Sequence, residues 1–148
     1  MLFGLVLYPF ISIANEVNLI TGNEEMSVDI FMSPQNGSFL GGSSFEVPFF
    51  INTKGHSVTN IDLDIAYDPT RLGITKPSNG KSVIGIWKNA PGFDNNKGVA
   101  NFSGSIQGGI VSESGLITSI TFEAKSEGQA WISITDKSKA TIFDGKEI

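Results

Sequence analysis

The sequence predicts an all-β domain, a sandwich of two packed antiparallel sheets, on three observations. The first is composition. Of 148 residues, Ile and Phe supply 18 and 11, whereas Ala and Leu supply only 7 and 8. β-Branched and aromatic side chains suit a pleated, half-buried surface. The second is turn chemistry. Gly, Ser, Asn and Thr together make up 54 residues, gathered in clusters between the apolar runs, where chain reversal needs them. The third is period. Apolar residues recur at every second position in short runs, and no run of helix length carries a 3.6-residue period. A disordered chain would hold fewer aromatics and more charge than the 17% found here. The length suits one domain.

The elements follow in chain order. Residues 2–14 are apolar and uncharged, too short a run for a bilayer core that needs about 20. The run closes on Ser12-Ile13-Ala14, a small-x-small pattern, so residues 1–14 are read as an export signal. No Lys or Arg precedes it, and the signal is read as truncated at its start. Residues 15–26 read as a polar linker, and 27–148 as the sandwich domain. Ser27–Met32 alternates and stops at Ser33-Pro34. Phe45–Asn52 is a strand whose Pro48 predicts an edge position or a bulge. Asn60–Tyr67 alternates most cleanly: Ile61, Leu63, Ile65 and Tyr67 point one way, Asn60, Asp62, Asp64 and Ala66 the other. Ser82–Lys88, Gly98–Ser103, Leu116–Lys125, Ala130–Thr135 and Ala140–Phe143 complete eight or nine strands. The expected core holds Ile61, Leu63, Ile65, Phe102, Ile120, Phe122, Ala130, Ile132 and Ile134.

Charge and residue inventory exclude most chemistry. The net charge is −5, and no basic stripe for nucleic acid exists. Cysteine is absent and His56 is the sole histidine, so neither a thiol nucleophile nor a multi-His metal site can be built. His56 falls in a Lys-Gly-His-Ser turn and reads as a solvated turn residue. Asp62 and Asp64 share a strand face about 7 Å apart, a spacing any strand offers by accident. Asp94-Asn95-Asn96-Lys97-Gly98 fails the calcium-loop pattern, because its fifth position is Gly98 and its sixth Val99. A turn with Gly98 at positive φ explains it. No cofactor is expected.

Surface aromatics remain. With Ala130, Ile132 and Ile134 claiming the core, Trp131 faces out, either as a binding anchor or under a neighbouring loop. Trp87 reads as a partly buried residue at the sandwich edge.

From Phe45 to Gly145 the chain resembles the cohesin domain of cellulosome scaffolds and its relatives on bacterial surface proteins. The strongest piece is Val58–Ile74, a strand ending in Tyr67-Asp68-Pro69, then two residues, then Leu72 and an apolar position. Ser33-Pro34 with Gly37-Ser38-Phe39, Gly98–Gly104, Gly115–Lys125, Gly128 and Asp144-Gly145 follow the family pattern in order. The resemblance implies a nine-stranded jelly-roll sandwich, related to the family 2 and 3 carbohydrate-binding modules, without catalysis. It implies a dockerin, a calcium-loaded helical module, as partner. It also implies contact through an Asn-x-Asp pair that maps to Asn60 and Asp62. Asp64, Asn101, Ser103 and Trp131 are expected on the same face, with Trp131 as its central aromatic and Asp136 a looser candidate. The expected binding set is therefore Asn60, Asp62, Asp64, Asn101 and Trp131. Two other readings stand beside it: polysaccharide binding by aromatic stacking on that face, and a structural spacer of a surface protein. The expected location is extracellular, with membrane contact only through the export segment.

Overall fold

The alternation of apolar residues becomes strand after strand in the computed structural model, which describes residues 5–7, 16–21, 24–33, 37–39, 41–78, 81–89 and 92–143. The strands are β1 Leu5–Leu7, β2 Glu16–Thr21, β3 Glu24–Met32, β4 Gly37–Phe39, β5 Ser44–Asn52, β6 Ser57–Tyr67 and β7 Leu72–Ser78. They continue with β8 Ile86–Trp87, β9 Gly92–Asp94, β10 Val99–Ile110, β11 Gly115–Ala124, β12 Ile132–Ile134 and β13 Lys139–Phe143. A five-stranded sheet runs β2-β3-β5-β11-β7. A six-stranded sheet runs β12-β6-β10-β8, with β13 also on β6 and β9 also on β10, and β1 pairs β4 separately. Every pairing is antiparallel.

The expected all-β sandwich is therefore the observed one, with more strand segments than nine among the described residues. The excess lies in β1, β2, β4, β7 and β9, none of them among the expected strands; each edge of the six-stranded sheet is built from two short pieces, β12 with β13 and β8 with β9. The core lies between the sheets. Ile61, Leu63, Ile65 and Tyr67 from β6 meet Phe102 from β10, Phe49 and Ile51 from β5, and Ile120 and Phe122 from β11, all buried. Every expected core residue is in this cluster. Phe122 joins the layers: its ring stands edge-on to Tyr67 at 5.4 Å and stacks on Phe45 at 5.9 Å.

Several details depart from the sequence reading. Pro48 is not on an edge, because β5 lies between β3 and β11. Its carbonyl accepts from the Ser33 N–H at 3.4 Å, just past the end of β3. A residue's N and O point to the same side of a strand, so the missing proline donor faces a place where the ladder has run out. A bulge does lie beside it, at the register shift between Leu116 and Thr118. Ser82–Lys88 shrinks to the two residues of β8, because Gly85 breaks its alternation. β7 was not expected as a strand; it is an edge strand, and there Pro77 is tolerated. Residues 16–21 and 24–26, within the stretch read as a linker, are strand, paired Val17↔Val28 and Leu19↔Met26. Most of the 1–14 segment and Asp144-Gly145 lie outside the described residues; Leu5–Leu7 pairs with Gly37–Phe39.

Turn chemistry came out as the residues require. Lys54 and Gly55 have φ of 53° and 85°, and the His56 N–H donates to the Thr53 carbonyl at 2.9 Å. Two successive positive φ values make a mirror-image turn, here carrying the chain from β5 in one sheet to β6 in the other. Gly98 has φ of 73°, and a Cβ there would stand 2.2 Å from the Tyr67 carbonyl oxygen. Only glycine fits.

Candidate recognition face

Because Ile61, Leu63 and Ile65 fill the core, the alternate residues of β6 are forced outward onto the exposed face of the six-stranded sheet. Cross-strand register sets them in rows. The first row is Thr141, Asn60 and Ser105, followed by Ile86. The second is Lys139, Asp62 and Ser103, and the Lys88 N–H donates to the Ser103 carbonyl at 2.9 Å. The third is Asp64, Asn101 and Gly92. The fourth is Ser133, Ala66, Val99 and Asp94. Asn60 stands at a bulge: its strand neighbours skip from Asn60 to Val58 on both sides, leaving Thr59 unpaired. Bulges re-aim a side chain and bend the strand.

The polar groups of these rows are unequally occupied. The Asn101 Nδ2 donates to Asp62 Oδ1 at 3.0 Å and to Asp64 Oδ1 at 3.4 Å. Thr135 Oγ1 donates to Asp64 Oδ2 at 2.7 Å. The Asp64 backbone is held too: its N–H donates to Ser138 Oγ at 2.8 Å, and that hydroxyl donates to the Asp64 carbonyl at 3.1 Å. The buried Ser138 thus fills the gap between β12 and β13. Among the described residues Asp62 Oδ2 and the Asn60 side chain have no hydrogen-bond partner. A half-exposed carboxylate oxygen and an exposed amide in that state are ready to bond something else.

Asn60, Asp62, Asp64 and Asn101 are therefore brought together. Trp131 faces solvent, 43% exposed, but it is not central. It precedes β12, and its carbonyl accepts from the Asp68 N–H at 3.0 Å. Asp68 is six residues along the chain from Asp62, roughly 20 Å at strand rise. The sequence reading put the ring with the strand that follows it, whereas the ring stands at the sheet's end. Asp136 is exposed in the turn between β12 and β13. Trp87 is half-buried against the core, as expected.

Other residues of the face were missed. Ile86 and Val99 are exposed at 56% and 39%, and Lys88 and Lys139 flank the second row; Phe93, also exposed, stands opposite the buried Ala100 at the sheet's edge. Alternation of Ala140 and Ile142 would have sent Lys139 outward; the broken phase around Gly85 hid Ile86 and Lys88. Two shallow concavities mark the surface. One, of about 360 Å³, lies over Asn60, Asp62, Ser103 and Ser105 between Lys139 and Lys88. The other, of about 320 Å³, lies over Asp64, Asn101, Phe93 and Asp94.

The face is thus a rigid, nearly flat sheet with hydrogen-bonding groups along its middle and exposed apolar side chains around them. Among the described residues its two concavities are open rather than enclosed like the pockets small ligands occupy; it is built like a protein-recognition surface. Among curated protein sequences none matches this chain. Solved structures do. The sixth cohesin of scaffoldin B from Acetivibrio cellulolyticus, in complex with a Cel5 dockerin mutant, is 20% identical with TM-score 0.55, covering 69% of this chain and 78% of that one. The Coh-OlpC–Doc435 complex from Clostridium thermocellum, a type I cohesin–dockerin complex, gives 16% identity and TM-score 0.57, covering 70% and 76%. A cohesin module from a Clostridium perfringens family 33 glycoside hydrolase gives 14% and 0.56, covering 72% and 77%. At these identities the likeness is one of fold. The model of the cohesin domain family matches residues 37–148, and on that match the chain belongs to the cohesin domain family.

Proposed function

We propose that this chain is a non-catalytic recognition module whose partner is a dockerin, docking on the outward face of the six-stranded sheet. The observation that carries the reading is the pair Asn60 and Asp62, adjacent outward residues of β6 with unengaged polar atoms, in a chain of the cohesin family. Membership supplies the partner class, and two of the cohesins of similar fold were solved as cohesin–dockerin complexes. Export to the cell surface or medium is part of the same proposal, resting on the apolar run at 2–14.

The test is calorimetric titration with dockerins encoded alongside this chain and with those of the complexes named above. Asp62→Ala is expected to raise Kd about tenfold or more, the scale of a hydrogen bond to a charged group. Trp131→Ala, at the end of the face, is expected to cost a few-fold, with the fold intact by circular dichroism in both variants. Full affinity in both would sink the face assignment. Retardation in a polysaccharide affinity gel, with no dockerin bound, would favour carbohydrate recognition instead.

A further inference from the structure

The recognition face has an electrostatic direction. In its second row Lys139 lies opposite Asp62 and Asp62 opposite Ser103, while Lys88 is bonded to the far side of Ser103. With strands about 4.8 Å apart, the two lysine backbones stand roughly 14 Å from one another. Their flexible stems rise on either side of the larger concavity. Both are exposed, and among the described residues neither ammonium has an ion-pair partner. Between them lie the hydroxyls of Ser103, Ser105 and Thr141 and the Asn60 amide, all able to donate to an anion. Asp62 is the one carboxylate of that lining, and one of its oxygens is taken by Asn101. The concavity is locally cationic on a chain of net charge −5. Two to four residues along β6 from the lysine row, about 7–13 Å away, the other concavity is lined by Asp64 and Asp94 and by no cation.

Building on the dockerin reading, we propose that the partner's docking element carries an aspartate or glutamate side chain that enters between Lys88 and Lys139. The carboxylates of the second concavity repel the same group, so the element docks in one direction. On a helix 7–13 Å is about five to nine residues, so the acidic side chain marks one end of the docking helix and is absent from one to two and a half turns away.

The test has two arms. The isotope-labelled full chain is titrated with a hexaglutamate peptide and followed by amide chemical shifts. Shifts are expected at Asn60, Ser103, Ser105 and Lys139 and not at Asp64 or Phe93, and salt should weaken them as exposed charges are screened. The double variant Lys88→Glu/Lys139→Glu should lose at least about tenfold in affinity, and Lys88→Arg/Lys139→Arg should keep it. Shifts centred on Asp64 and Phe93, evenly spread or absent overturn the proposal. In the second arm, any dockerin that binds is titrated against the charge-reversed variant. A loss of about tenfold, suppressed when the dockerin's own acidic residue becomes its amide, is expected. Unchanged dockerin affinity in that variant overturns the acid-binding cleft and leaves the dockerin reading standing. Hexaglutamate mapping to the cleft in a chain that binds no dockerin overturns the dockerin reading and leaves the cleft.

Discussion

Asp62 and Asp64 sit two residues apart on one side of β6, and their neighbours separate them. Asp64 holds Thr135 and Asn101 with its carboxylate and Ser138 with its backbone, tying the β12–β13 turn to the sheet. Among the described residues the Asp62 carboxylate holds only Asn101. Asp64→Ala is therefore expected to lower unfolding free energy by about 1 kcal/mol more than Asp62→Ala, since it strands the Thr135 hydroxyl, whereas Asn101 keeps one carboxylate partner in either variant; urea denaturation of the two variants measures this. Tyr67 shows the same dependence on surroundings. Its hydroxyl donates to Asn95 Oδ1 at 2.6 Å, and that amide also accepts from the Ile74 N–H and donates to the Ile74 carbonyl. Burial, and then the negative charge of Asp94, push the phenol up to about 12. The fold favours the neutral phenol, so its contribution to stability is complete below pH 10, the ordinary value, and is lost as pH rises toward 12. In a Tyr8→Phe background, absorbance titration should show the remaining tyrosine ionising late, and stability falling across that window. Gly98 was legible in the sequence because its Asn-Asn-Lys-Gly context demands a turn. The Asn95 clasp was not, because its partner Ile74 is 21 residues away and nothing local distinguishes this asparagine from Asn96.

At the scale of elements, long alternating runs were legible and short edge pieces were not. β6 and β11 declare themselves because one face is wholly committed to the core, which fixes their register. β8 survives as strand by virtue of its neighbour: Gly104 lies inward on β10, and a Cβ there would come within 2.5 Å of Ile84 Cγ2 and of the Ile86 carbonyl. The bare backbone lets the Gly85 N–H reach Ser105 and the Lys88 N–H reach Ser103, at 3.1 and 2.9 Å. Gly104→Ala is expected to detach this edge while the rest of the sheet persists. Amide exchange at Gly85 and Lys88 should accelerate by about an order of magnitude, with β6 amides unchanged. The free edge of β7 is handled differently. Asn95 occupies the outward N–H and C=O of Ile74, and Pro77 offers no donor, so little of that edge can pair with a second chain. Neither device has a signature in periodicity, since both depend on which strands become neighbours.

For the molecule as a whole, the sandwich depends on the few side chains that touch both layers. Phe122 contacts Phe45 within its sheet and Tyr67 across the core. Phe122→Ala is expected to cost about 3–5 kcal/mol, as for a buried aromatic truncated in a core, with both sheets melting together; coincident near- and far-ultraviolet dichroism transitions would register it. The all-β class was legible because Ile and Phe fall on core positions of strands and Gly and Asn in the turns. The proposed recognition face was half legible: Asn60, Asp62, Asp64 and Asn101 follow from alternation, whereas Ile86 and Lys88 come from an edge piece whose pairing no local pattern specifies. One property of β6 bears on how such a module can diverge. Its odd and even positions serve the core and the face in strict turn from Asn60 to Tyr67. Point substitutions at Asn60 or Asp62 can therefore rewrite the chemistry of the face without disturbing the interior. Losing or gaining a single codon in this stretch would exchange interior for exterior all at once. Lineages of this module should vary in the letters of β6 and hold its length fixed.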